Sequence, residues 1–279
     1  MKVTLIPNLT KENAYASTLN LCSALDSFGI MYDFYGDFSK YDVSFKSSSV
    51  ISSDTDVIIA IGGDGTMIRA AKAALPHNIP VLGINAGTLA FLVGLENDEV
   101  TLLKKLITGD YTIEERMVLD ISIFNKNNEL VYSDSCINDA VFARGAQIKI
   151  ASFDLFCDGK FVSRYKSDGI ILATPTGSTA YNLSAGGPIV DPKLESILLT
   201  PICPHSLEQR TIIFNANSVL KIENPDDNKN TVGMSCDGND SITFCNGYFA
   251  EIKKSTNKIK LIRLKDDTFM DILNSKMKT

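Results

Sequence analysis

The stretch Asp56–Ala74, DVIIAIGGDGTMIRAAKAA, divides into three pieces with different physical demands. Its opening, DVIIAI, is a short and almost wholly apolar run, the pattern of a strand buried on both faces of a parallel sheet. Its close, TMIRAAKAAL through Leu75, is rich in strong helix formers and stops before Pro76, which cannot continue a helix. Between them, Gly62, Gly63 and Gly65 let the chain turn sharply and let an anion approach the N–H groups at a helix start, with Thr66 placed to cap it. Strand, glycine turn and helix in that order predict an α/β unit.

Working outward, KVTLI (2–6) reads as a strand. A helix follows in which Tyr15, Leu19, Cys22 and Leu25 recur at helical spacing and Gly29 stands at the C-terminal cap. IPVLGIN (79–85) is a further buried strand, and DEVTLLKKLITG (98–109) a helix ending at Gly109. After Tyr111 the period changes to two. TIEERMVLDISIF (112–124), FDLFCDGKFVSRY (153–165), RTIIFNANSVLKIE (210–223) and NKIKLIRL (257–264) read as strands. Asp158-Gly159 and Asn246-Gly247 read as hairpin turns. DDTFMDILNSKMK (266–278) is a short amphipathic helix. The expected organisation is α/β with a parallel sheet over 1–110, carrying the GGDGT loop, then a β-rich, sandwich-like domain over 111–250. Residues 251–279 pack back on the first domain, and a cleft separates the two.

Composition narrows the function classes. A chain of 279 residues with 44% hydrophobic and 22% charged residues is that of a globular protein with real cores. A formal net charge of -6 argues against a protein built to hold nucleic acid. No apolar run reaches the roughly 18 residues of a membrane span, and MKVTLIPN is too short in apolar residues for a signal peptide. The six cysteines form no CxxC pair, so the expectation is reduced thiols in the cytoplasm. CPHS (203–206) has no second ligand pair with it and is not read as a metal site.

The chemistry concentrates in two segments. The first glycine loop is neither a Walker A loop nor a GxGxxG fingerprint, and it carries an acid where a phosphate cradle carries lysine. Asp64 would repel a phosphate at contact distance. It suits a hydroxyl that must lose a proton while attacking phosphorus, a role worth about 10²–10⁴ in rate. The plainer alternative is a turn residue or helix cap. Arg69, one turn on, faces either a phosphate or solvent. The second segment, TPTGSTAYNLSAGGP (174–188), is a run of small, hydroxylated and glycine residues, expected to offer donors to a phosphate-rich ligand rather than to build core. On their own terms Asn138-Asp139 could equally be a strand-edge turn, Lys166 and Asp168 a surface ion pair, and Tyr181 partial core.

Taken in order, GGDGT (62–66), GINAGTLAFLVG (83–94), CINDAVFAR (136–144) and SDGIILATPTGSTAYNLSAGGPIV (167–190) resemble the NAD kinase family, which phosphorylates the adenosine ribose 2′-hydroxyl of NAD. GGDGT alone is shared with phosphofructokinases and with diacylglycerol and sphingosine kinases; the long second segment carries the resemblance. It implies an NAD kinase-like fold with Asp64 as the base and Gly63, Gly65 and Arg69 beside it. Asn138 and Asp139 would hold the dinucleotide, and Lys166 and Asp168 match substrate-binding positions. Thr179, Ala180, Tyr181, Asn182 and Ser184 would wrap the adenine side, with Tyr181 available to stack. In CDGND, Asn239 stands for a glutamine that touches NAD in many members, and Ala90 replaces a usual glycine. The resemblance further implies ATP as donor, with a divalent metal, Mg²⁺, on its phosphates and no dedicated protein cage. It implies assembly as a homodimer or homotetramer, and no nucleic acid or membrane partner. The alternatives are a lipid kinase of the diacylglycerol or sphingosine type, or a silent NAD-binding sensor.

Overall fold

All six residues of the strand Val57–Gly62 are buried, as the apolar run requires. The computed structural model describes every residue except 12, 42–44, 46, 88, 89, 146–148, 207, 229, 230, 278 and 279. Val57–Gly62 lies in a sheet of eight strands, parallel to Lys2–Pro7 on one side and to Val81–Asn85 on the other. Register is set by apolar partners, Leu5 beside Ile59 and Ile59 beside Leu82. Met31–Tyr35 continues the sheet beyond Lys2–Pro7. Beyond Val81–Asn85 come Ile259–Arg263, parallel to it, and then Thr112–Arg116. Two compact units result: Met1–Glu115 with Lys258–Thr279, and Arg116–Asn257.

Within the first unit the helix Ala14–Phe28 buries Ala14, Ser17, Thr18, Leu21, Cys22 and Leu25 and ends at Gly29 in the left-handed conformation, φ 69°. Cys22 and Leu25 are buried as read in the sequence, but the first half of the helix buries Ala14, Ser17 and Thr18 in place of the expected residues. Tyr15 and Leu19 are exposed, and Tyr15 instead meets the Phe45 ring, centroids 5.8 Å apart. Small residues at 14, 17 and 18 bring the helix close to the sheet, which large ones would prevent. Asp64–Ala74 is the second helix; the segment after Asp98 is a turn of 3₁₀ at Val100–Leu103 and a short helix, Lys104–Thr108, ending at Gly109. The helix Phe269–Met277 begins with a capping box, in which Thr268 N–H donates to Asp271 Oδ2 at 2.9 Å and Asp271 N–H to Thr268 Oγ1 at 3.2 Å.

The second unit holds two six-stranded antiparallel sheets. One core lies under both, drawing Leu119, Ile121 and Ile123 from one sheet and Ala140, Phe142, Ile170 and Leu172 from the other. Leu119–Phe124 alternates buried and half-buried residues, the period-two signature of a strand with one core face. This is the expected α/β plus β-sandwich architecture. Asp158-Gly159 is the expected two-residue turn, with φ 50° and 78°, joining Ala151–Cys157 to Lys160–Ser167. Asn246-Gly247 is a turn but not a hairpin, because Ile242–Phe244 and Phe249–Lys254 belong to different sheets. Likewise 112–124 is two strands, Thr112–Arg116 in the first unit's sheet and Leu119–Phe124 in the second unit's. Phe249–Lys254 pairs with Leu119–Phe124, so the second unit runs to Asn257, past the expected boundary at 250.

Candidate active site

In the first unit, Asp64 is the first residue of its helix, after Gly63 in an extended conformation. Its carboxylate is held by two backbone donors: Leu92 N–H reaches Oδ1 and Phe91 N–H reaches Oδ2, both at 2.9 Å. Burial raises its pKa above the ordinary value; the Phe91 and Leu92 amides, then Lys276 and Arg263, pull it down without cancelling that. Each oxygen retains a lone pair after accepting one amide. The carboxylate is thus oriented, partly desolvated and able to accept a further proton, rather than spent as a cap.

Thr66, expected to cap the helix, lies inside it. Its side chain is packed so tightly on Gly62 that a Cβ there would fall 2.3 Å from Thr66 Oγ1. That hydroxyl is buried with no hydrogen-bond partner among the described residues. Arg69 is exposed and lines a cavity of about 280 Å³ with Asn8, Thr10, Tyr35 and Phe38, where the strands Lys2–Pro7 and Met31–Tyr35 end. Ligands of open α/β sheets bind at such carboxyl ends. Ala90 is buried and lines a separate cavity with Arg263 and Lys276.

In the second unit three segments meet. Asp139 starts the strand Asp139–Arg144 opposite Ala173, the last residue of Gly169–Ala173, so the second glycine segment leaves its strand beside Asn138. Thr174 N–H donates to Asn138 O at 2.8 Å and Thr174 Oγ1 to Ile137 O at 2.6 Å. A Cβ on Gly177 would stand 2.1 Å from Asn138 O, so only glycine lets the loop lie against that backbone. From the third side comes Asp237, whose Oδ1 accepts N–H groups from Asn138 at 2.7 Å and Ile137 at 3.1 Å. Asp139, 5% exposed, sits beside that carboxylate; burial, then the Asp237 charge, push its pKa up to about 7. Asn239 is exposed on the same turn as Asp237, its N–H donating to Cys236 O.

The glycine-rich run is more buried than its composition suggests. Thr174, Ser178 and Asn182 are each 0% exposed. The Asn182 side chain donates to Ser178 O and Pro188 O, both at 3.1 Å, and accepts from Thr200 Oγ1 at 2.6 Å. Its capacity goes to holding the loop, so the run does supply core, by internal hydrogen bonding in place of apolar contact. Tyr181 and Ser184 are exposed and Thr179 and Ala180 half-buried, which rules out a core role for Tyr181.

Lys166 and Asp168 are not with this group. They precede Gly169, at the opposite end of the strand from Thr174, with Asp168 about 20 Å from it at 3.3 Å per residue. Nor do they form an ion pair with each other: Asp168 Oδ1 accepts from Arg144 Nε at 2.6 Å, and Lys166 is exposed on its strand. Sequence reading missed Asp237, Arg144 and Arg263, because each acts on a residue far away in the chain. Asp237 carries one local signal, its place before Gly238 in a turn, where its φ is 51°.

Comparison with known proteins adds to this geometry. Residues 8–111 match the ATP-NAD kinase N-terminal domain and residues 137–264 the ATP-NAD kinase C-terminal domain. The chain is 37% identical over 280 residues to a protein of Thermoanaerobacter sp. (strain X514) named NAD kinase, covering 99% of this chain and 98% of that one. It is 38% identical over 233 residues to an NAD kinase of Pseudomonas fluorescens (strain SBW25), covering 83% of this chain and 78% of that one. In fold it resembles yeast NADH kinase complexed with NADH, with TM-score 0.88, 24% identity, and coverage of 100% of this chain and 87% of that one. An NAD kinase from Archaeoglobus fulgidus in complex with ATP gives TM-score 0.77 at 22% identity, with coverage of 100% and 99%.

Proposed function

The chain belongs to the NAD kinase family, and from that premise we infer that it transfers the γ-phosphate of ATP to the 2′-hydroxyl of the adenosine ribose of NAD, giving NADP. The observation that carries the mechanism is the Asp64 carboxylate, fixed by two amides and held above its ordinary pKa by burial. A base is most effective when its pKa approaches working pH. Asp64 accepts the 2′-hydroxyl proton as that oxygen bonds to the γ-phosphorus, and the bond from phosphorus to the ADP oxygen breaks. Little covalent work is asked of the protein; alignment and charge neutralisation do the rest.

Gly63 and Gly65 leave room beside Asp64, and Arg69 is assigned to phosphate. Asn138, Asp139, Thr179, Ala180, Tyr181, Ser184 and Asn239 are assigned to the dinucleotide, with Asn182 supporting their loop from within. Lys166 and Asp168 would meet only a ligand long enough to run the length of the strand Gly169–Ala173. A divalent cation on the donor phosphates would draw off charge as the phosphoryl group transfers. Among the described residues no group of three or more His, Cys, Asp or Glu gathers to hold a metal. An ion such as Mg²⁺ that arrives on phosphates and keeps its waters fits that donor set. A cytoplasmic homodimer or homotetramer completes the proposal. Among the described residues no helix is long and apolar enough to cross a membrane.

The test is NADP formation from NAD and Mg-ATP by the full chain, with Asp64→Asn alongside. Turnover by wild type, and its loss in Asp64→Asn with NAD binding kept, is expected. Wild-type turnover in the variant removes Asp64 as the base, and binding without turnover in both proteins points to the silent sensor.

A further inference from the structure

We infer that Arg263, delivered by the last strand of the first unit's sheet, is a positioning residue that fixes the Asp64 carboxylate through the backbone of Leu92. The inference rests on Asp64 as the base. Ile259–Arg263 lies in the sheet between Val81–Asn85 and Thr112–Arg116. At its end the Arg263 guanidinium reaches in two directions. Nε donates to Glu114 Oε2 at 2.9 Å, and Nη1 donates to Leu92 O at 3.3 Å. Leu92 N–H in turn donates to Asp64 Oδ1 at 2.9 Å. The Leu92 carbonyl and N–H flank a single α-carbon. The guanidinium therefore pins the very residue whose amide orients the carboxylate, and Glu114 pins the guanidinium.

One further observation favours a role in the site over a role in the fold. The Arg263 side chain is only 11% exposed, yet Nη2 has no hydrogen-bond partner among the described residues. A buried guanidinium with an unsatisfied nitrogen costs stability, and apolar residues of similar volume commonly hold such a strand end better. Charge alone does not single out Arg263, since Lys276 also acts on Asp64 from the helix Phe269–Met277. What Arg263 adds is the hydrogen bond to the Leu92 backbone. Lysine, with one rotatable ammonium in place of a rigid fork, keeps the charge and cannot span both partners in the same way.

The test therefore uses Arg263→Lys. Amide shifts of Phe91 and Leu92 are followed against pH in ¹⁵N-labelled full-length wild type, Arg263→Lys and Asp64→Asn, with kcat, KM and thermal unfolding measured on the same samples. Both amides should titrate with the Asp64 carboxyl in wild type and neither in Asp64→Asn. In Arg263→Lys the Leu92 titration should shrink while that of Phe91 persists. With it, kcat should fall about tenfold, part of the 10²–10⁴ a positioned base supplies, with KM for NAD and ATP within about twofold. An unchanged Leu92 titration, or an unchanged kcat, overturns the inference. If Arg263→Lys does not fold, Glu114→Gln is expected to give the same pattern at about threefold, and no change there overturns it equally. Full activity in Asp64→Asn would instead sink the base assignment, leaving the amide titrations to judge Arg263 on their own.

Discussion

Replacing Asp139 by asparagine should make the protein more resistant to unfolding, and increasingly so as pH rises. Asp139 is 5% exposed, lies beside the Asp237 carboxylate, and has its pKa pushed up to about 7 from an ordinary 3.8. The native state then holds this proton more tightly than the unfolded chain does. Stability falls as pH climbs from about 4 to about 7, and the penalty is complete above that. At about 1.4 kcal/mol per pKa unit, the penalty grows by at most ~3 kcal/mol between about pH 4.5 and about pH 8.5, less whatever water entry and relaxation recover. Asparagine has nearly the same shape and cannot ionise, so the variant escapes it. Urea unfolding of both proteins at the two pH values gives the quantity wanted, the change in their stability difference, from which every other titrating group cancels to first order. A difference that stays constant, or moves against the variant at high pH, would refute the account of a buried carboxylate destabilised by desolvation and by Asp237.

Other consequences are simpler to read. Asn182→Ala removes a fully buried side chain and its bonds to Ser178 O, Pro188 O and Thr200 Oγ1, and should lower stability by about 2–4 kcal/mol, seen as a drop in Tm. An unshifted Tm would mean the Asn182 bonds are not what holds the loop. Tyr181→Ala removes a ring that is 46% exposed, so Tm should hold while KM for NAD rises about fivefold to tenfold; a fall in Tm with KM intact would reverse that assignment. Chelation of divalent metal should stop turnover, with Mg²⁺ restoring it and unfolding by urea unaltered. Activity surviving chelation would exclude a metal on the donor phosphates.

The first unit was legible where one local pattern decided the outcome. The apolar run at Val57–Gly62 can only be an interior strand, and Gly29 and Gly109 both take the left-handed cap conformation their positions suggested. Legibility failed where partners are distant in the chain. Nothing near Leu92 announces that Arg263 will meet it, and nothing in NKIKLIRL says that it will pair with Val81–Asn85 as a strand of the first unit's sheet. The 174–188 run was misjudged for a different reason. Hydropathy counts threonine, serine and asparagine as surface, but Thr174, Ser178 and Asn182 satisfy one another and the adjacent backbone, so burial leaves no polar group stranded. Lys166 and Asp168 look adjacent to the glycine segment on paper. A strand converts those few residues into distance, and separates them from it.

The placement of Ile259–Arg263 also fixes an order of events during synthesis. Leu261 sits in register with Val81, made about 180 residues earlier. At about 5–20 residues per second that is roughly 10–40 s on the ribosome. For that interval the place beside Val81 waits unfilled, since Leu95–Glu96 pairs with Ile84 and Asn85 at the other end of the strand, and Thr112–Arg116 lacks Ile259–Arg263, its neighbour in the sheet. Every strand of the second unit emerges during the wait. The nascent chain finishes its second unit before its first, and a ribosome stalled short of residue 259 leaves the Val81 end of that sheet edge open to its surroundings.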